Sequence, residues 1–404
     1  MLTGIAALFI ATFVLPISAN AKGTSYGFNV GNTTVTTDNY NNITSDYIKP
    51  YNTSLPCKAY YVPFTKTLYL ENVKIERSGS YNRCITNKMC DGLTVVFKGG
   101  NYLYAKNASA IRCEKYTKLK QETGASVTVS SNDQEAIYAC NTASLSIENG
   151  IFTCASNKNK AIIGGDGKEE LILYNTTITG STYYLRSIVS DFDKVMLINS
   201  TIKGETSSTP VSGIHVYLPK SSTAIKVYGT NNIETLYTGI VAYSRTTIKG
   251  TGTLNITSKN GDAIGTSNPK LTFDGCTVNA KGKWGIRGDY SFKGLLAFTN
   301  ANLTINSSEA CMSDIKTLTL NGCTITQPSG AAFSTSLYGM ALGGALVKGK
   351  VVISKGATGI ASPTVNIPAK KCGIYNLQGV RLGDSLDSLP AGIYIVDGQK
   401  VVKK

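Results

Sequence analysis

Eight phrases of one design recur along this 404-residue chain: Leu68–Ile75, Val95–Tyr102, Leu145–Phe152, Leu171–Ile178, Val195–Ile202, Leu271–Val278, Leu296–Leu303 and Leu318–Ile325. Their starts lie about 25 residues apart, or at two or three times that interval. Each phrase alternates apolar and polar residues, the period of a half-buried strand, then carries Asn or Gly fifth, a mostly small residue sixth and an apolar one eighth. The fifth place is held by Asn72, Gly99, Asn149, Asn175, Asn199, Gly275, Asn300 and Gly322. These residue types enter positive φ at little cost, so the chain is expected to turn there in every coil. A fixed period of this size marks a solenoid.

A second phrase keeps the same period at another phase: a small residue and then Ile, at Ala110-Ile111, Ala136-Ile137, Ala161-Ile162, Gly213-Ile214, Gly239-Ile240, Ala263-Ile264 and Gly285-Ile286. Short strands separated by corners, several to a turn, describe an all-β parallel β-helix. No stretch keeps helical apolar spacing for three turns. The pattern is weakest over 203–255, where Pro210 and Pro219 interrupt it. Ile225, Val227, Gly229 and Ile233 supply one coil there with one extra residue, and Leu254 and Ile256 supply another.

The first 21 residues carry an uncharged apolar run ending in Ala19-Asn20-Ala21, too short to span a membrane and shaped like a secretory signal, so the chain is expected to be exported. No other segment approaches a transmembrane length. Residues 22–56 read as a lead-in and cap, and 57–365 as the β-helix. The formal charge is +15, spread as single Lys and Arg residues. Such charge either keeps sheet edges soluble or attracts an acidic partner, and for an exported protein acidic polysaccharide fits better than nucleic acid, for which no motif is present. The cysteine count is even, so disulfides are permitted. Cys276 and Cys323 share a phrase position two coils apart, about 10 Å at the usual strand spacing, and read as interior fillers. Cys113 and Cys140 lie in adjacent coils, where they pair or stack, and Cys84 with Cys90 is placed to close a small loop.

Catalysis has little to stand on. The single histidine, His215, follows interior Ile214 and is expected to face outward. Two polar clusters stand out. One is Asn260-Gly261-Asp262, with Asp274 half a coil later; the other is Lys283, Trp284, Arg287, Asp289 and Tyr290. Arg and Lys bind carboxylates, and Trp or Tyr offers a face to a sugar ring. Asp262 and Asp289 fall on neighbouring coils, where paired carboxylates hold Ca²⁺ or act as acid and base. The competing reading is a solvated corner with structural Asp turns. Gly164-Gly165-Asp166-Gly167 is read as a loop.

The stretch Leu254–Ile264 followed by Leu271–Val278 resembles secreted carbohydrate-binding proteins of the pectate-lyase-like superfamily, which are right-handed parallel β-helices. That resemblance implies calcium, with Asp262 and Asp274 as candidate ligands, and acidic polysaccharide as partner. The catalytic patterns of enzymes on that fold are missing: neither Gly-His-Gly with paired Asp nor Arg-x-Pro-x-x-Arg is present. Residues 372–404 form a further unit of short alternating strands joined by Gly turns. Its Leu389–Val396 core and Gly398–Val402 ending resemble the C-terminal sorting domains of type IX secretion cargo, which implies that secretion machinery as a partner.

The sequence thus leads to an exported or cell-surface β-helix that binds an extended acidic polysaccharide through Lys283, Trp284, Arg287, Asp289 and Tyr290. The alternatives are a lyase or hydrolase working through Asp262, Asp274 and Asp289, and an adhesin or stiff spacer.

Overall fold

The computed structural model describes residues 23–182, 187–204, 211–217, 222–267, 270–356, 373–383, 385–396 and 399–404. The leader-like segment 1–21, Pro210, Pro219, Cys372 and the last residues assigned to the β-helix, 357–365, lie outside them. The described residues up to Gly356 form one unit, most of it a parallel β-solenoid of about 10 turns set about 25 residues apart.

Each turn contributes a strand to three sheets. The first sheet runs from Thr67–Glu71 to Ile315–Asn321 and carries the opening half of the phrase. The second runs from Val73–Arg77 through Thr253–Ser258 to Asn302–Ser313 and carries the closing half. The third is built of short strands, from Ile85–Asn87 through Ile240–Ala242. It carries the small-residue/Ile phrase. Its inward column passes in register from Ile85 through Ile111, Ile137 and Ile162 to Val189, Ile214, Ile240, Ile264, Ile286 and Met312. All ten are fully buried. The core is thus one continuous column in which each coil touches only its neighbours.

The corner between the first two sheets is where the phrase is most exacting. All eight Asn and Gly residues of the fifth position have positive φ, between 46° and 71°. Side chains there reach across to the following coil. Asn72 Oδ1 accepts from the Gly100 N–H at 3.2 Å, and Asn199 Oδ1 from the Thr230 N–H at 3.2 Å. A Cβ on Gly99 would stand 2.1 Å from Asn72 Oδ1, and one on Gly229 1.9 Å from Asn199 Oδ1. Glycine follows asparagine at these places because the side chain below occupies the space.

Two coils depart from the phrase. After Gly99 the corner holds an extra residue, so Tyr102 turns outward and Leu103 takes the buried place expected of it. The extra residue, Asn101, is turned inward, where its amide donates to Lys98 O and accepts from the Val73 N–H. The coil around Gly229 repeats the device with buried Asn231, which accounts for the additional residue there. A coil that the phrase skipped, Thr117–Gln121 with Ser126–Ser131, lies between those of Val95 and Leu145. Its buried Gln121 bonds both the N–H and the C=O of Ile151, in place of a corner asparagine.

Strands of opposite direction meet both ends of the solenoid. Ser25–Val30, Ile48–Pro50 and Lys58–Val62 pair antiparallel with strands of the first turn. Gly349–Lys355 pairs antiparallel with Asn302–Ser313 and Cys323–Gln327. All nine described cysteines are free, so neither the Cys84–Cys90 nor the Cys113–Cys140 bridge is formed. Cys276 and Cys323 are interior, as expected. Burial pushes the Cys154 thiol up to about 12, which removes its nucleophilicity at neutral pH.

The second unit holds a small antiparallel sheet of four strands. Ile374–Tyr375 lies between Arg381–Gly383 and Gly392–Val396, and Gln399–Lys403 completes a hairpin with the latter. The Tyr394 hydroxyl donates to Pro390 O at 2.6 Å.

Candidate functional site

Parallel register on the third sheet brings Asp262 opposite Trp284, and Gly265 opposite Arg287. The Arg287 guanidinium reaches back to Asp262 of the preceding coil. Nη2 lies 2.9 Å from Oδ2 and Nε 2.9 Å from Oδ1. Asp262 is 7% exposed. Burial raises its pKa above the ordinary carboxylate range, and Arg287, pulling the other way, only partly offsets this. The Trp284 ring centroid is 4.1 Å from the Arg287 guanidinium carbon and 4.7 Å from Lys283 Nζ. Trp284 therefore holds two cations in place, and the ring face that a sugar was expected to use is in contact with them.

Asp289 and Tyr290 follow on the same side. A cavity of about 280 Å³ is lined by Asp262, Arg287, Asp289 and Tyr290 together with Tyr243 and Asp314. Asp262 and Asp289 do share one pocket, as their spacing on neighbouring coils anticipates. Asp289 is already engaged, however: its Oδ1 accepts from the N–H groups of Ser291 and Phe292 at 2.8 and 2.9 Å, a local turn. Asp314 lies 3.9 Å from Lys293. Asp274 is elsewhere, exposed at the end of a first-sheet strand opposite Lys249 and Thr299. It does not line the Asp262 pocket. Among the described residues no three His, Cys, Asp or Glu side chains gather as metal ligands.

Lys283 points to a different cavity. At the neighbouring corner a groove of about 810 Å³ is lined by Lys259, Lys281 and Lys283 with Thr257, Ser258, Asn260 and Ser308. Gly282 makes this arrangement possible. A Cβ there would lie 2.6 Å from Trp284 O and 2.7 Å from Ala263 N, so only glycine fits the close turn. The register shifts between Gly282 and Trp284, and Lys281 and Lys283 both emerge exposed. None of the three lysines belongs to an ion pair among the described residues. Lys259 and Lys281 went unmarked in the sequence, although they stand three residues before Asp262 and Trp284, which are paired in the structure.

His215 is on the outward side of its strand, but half-covered. Its Nδ1 lies 3.3 Å from Ser190 Oγ and 3.6 Å from Asp191 Oδ1. Both partners face one ring nitrogen, so the three do not form a nucleophile–base–acid relay. Asp191, in positive φ at 59°, ties three coils together by also pairing with Lys160 and accepting from the Tyr217 N–H at 3.1 Å. Burial pushes its carboxyl pKa up, but hydrogen bonds from His215 and Lys160 more than offset this and hold it below the ordinary range. A folded-state pKa that is depressed stabilises the fold above the unfolded value and ceases to do so as pH falls through the folded one. Asp191→Asn is therefore expected to cost about 2–3 kcal/mol at pH 7. That deficit should shrink as both proteins are acidified below the carboxylate range, as read from urea melts across pH. A deficit independent of pH would remove the ionic account.

Comparison of the chain with protein-family models, with curated proteins and with solved structures finds no match.

Proposed function

We propose that the β-helix binds an extended acidic polysaccharide, and that the lysine groove is where it does so. The observation that carries this is the meeting of Lys259, Lys281 and Lys283 from two successive coils around one groove without a carboxylate partner. Three uncompensated ammonium groups in a concave site attract and orient a chain of carboxylates. The Asp262 pocket on the adjoining face has the opposite character. Its three carboxylates, Asp262, Asp289 and Asp314, outnumber the one cation that lines it, Arg287, so it repels a polyanion. Within the candidate cluster, Lys283 contacts the ligand, while Trp284 and Arg287 hold the corner in shape. The aspartates are occupied by Arg287 and by a turn, which leaves the hydrolase or lyase reading without a free acid–base pair. We place the protein outside the cell. The leader-like run at 1–21 supports this, as does the likeness of 372–404 to type IX sorting domains.

The test is retention on polygalacturonate compared with a neutral glucan. Lys259→Ala/Lys281→Ala/Lys283→Ala should lose at least tenfold in affinity for the acidic chain and should flatten its salt dependence, with an unchanged melting temperature. Equal retention of the folded triple variant would end this assignment.

A further inference from the structure

We propose that the outer face of the second sheet is a track along which the same acidic chain continues beyond the groove, one sugar residue to each coil. This rests on the polyanion-binding reading above.

Two outward columns cross that face in unbroken parallel register. The first is Thr201, Asn232, Asn255, Asn279 and Thr304. Asn232 Nδ2 donates to Thr201 Oγ1 at 3.3 Å, Asn255 Nδ2 to Asn232 Oδ1 at 2.9 Å, and Asn279 Nδ2 to Asn255 Oδ1 at 2.8 Å. A primary amide has two N–H donors and two acceptor lone pairs. The ladder uses one of each at Asn232 and Asn255, so each keeps one donor and one acceptor fixed in direction. A sugar hydroxyl, itself both donor and acceptor, matches that pair. The array repeats at the strand spacing of about 4.8 Å, comparable to the length of one residue in an extended polysaccharide.

The second column, two residues further along each strand, is Lys203, Glu234, Thr257 and Lys281. All four are exposed. Thr257 and Lys281 also line the lysine groove, so track and groove are one surface. Lys203 gives the far end of the track the same sign of charge, and Glu234 is the one group on it that opposes a polyanion.

The experiment compares a trimer and a dodecamer of galacturonate by calorimetry with the full chain. The dodecamer should bind at least tenfold more tightly. Asn232→Thr/Asn255→Thr/Asn279→Thr keeps strand-forming residues and should abolish most of that gain while leaving trimer affinity unchanged. Glu234→Gln should strengthen dodecamer binding severalfold and leave the trimer alone. A dodecamer no tighter than the trimer, or a gain that survives in the ladder variant, overturns the track and leaves the groove standing. Should the ladder variant fail to fold, Glu234→Gln decides, and unchanged dodecamer affinity is then the negative result. Failure of both oligomers to bind would overturn the groove and the track together.

Discussion

Ile240→Ala is expected to lower stability by about 2–5 kcal/mol, the range for deleting a buried isoleucine from a core that cannot collapse around the void. Ile240 is fully buried between Ile214 and Ile264 of the neighbouring coils. Those neighbours are held by their own strand ladders at a fixed spacing, which limits relaxation. The adjacent Val241 points outward between His215 and Gly265, and Val241→Ala should cost well under 1 kcal/mol. Hydrogen exchange adds a finer measure. Because contacts pass only between neighbouring coils, protection should fall over Ser212–Val216, Ile240–Ala242 and Asp262–Thr266, and hold at Ile111 and Ile137. If Val241→Ala proved as costly as Ile240→Ala, the inward and outward assignment of this sheet would be wrong.

Arg287→Ala should be the most damaging surface substitution. It strips both guanidinium contacts from a carboxylate that is 7% exposed. Removing one partner of a fully buried pair costs about 3–5 kcal/mol, and the partial exposure of Arg287 reduces this to about 2–3 kcal/mol at pH 7. The carboxyl involved is shifted the opposite way to that of Asp191. Burial already raises the Asp262 pKa, and loss of Arg287 raises it further. A carboxyl whose folded pKa lies above its unfolded value favours folding at low pH and loses that contribution as pH rises through the folded pKa. The variant should therefore recover relative to the parent on acidification, as Asp262 takes up a proton. Adding Asp262→Asn should restore much of the loss at pH 7. Melts of the single and double variants at acid and neutral pH check this, and a double variant no better than the single one would refute it.

The solenoid was legible because its corner demands a backbone conformation that few residues accept. Asn72 through Gly322 declare positive φ by residue type alone. Where the corner was solved differently, the period was lost: Gln121 bridges to Ile151 and the positive-φ glycine, Gly124, comes three residues later, and Asn101 adds a residue that turns Tyr102 outward. The site was only partly legible. The proximity of Asp262, Trp284 and Arg287 follows from the period, since register converts spacing into contact. The lysine groove does not. Lys281 and Lys283 share a side as any residues two apart on a strand do, but the coil below takes more residues from Thr257 to Asp262 than this strand takes from Lys281 to Trp284, so no constant offset places Lys259 beside them. Asp274 lies apart from Asp262 for a related reason. Half a coil in sequence is a different sheet in space, however short the distance along the chain.

A stack of parallel coils would, left open, offer each end as a template for another copy of itself. The reversed strands Ile48–Pro50 and Lys58–Val62 break that pattern on two sheets of the first turn, whereas at the last turn the first-sheet strand Ile315–Asn321 pairs only with the coil before it among the described residues. A second molecule approaching those two sheets of the first turn meets a strand that runs against the coils. The repetition that makes this protein easy to extend within one polypeptide is thus interrupted by reversed strands at its N-terminal end.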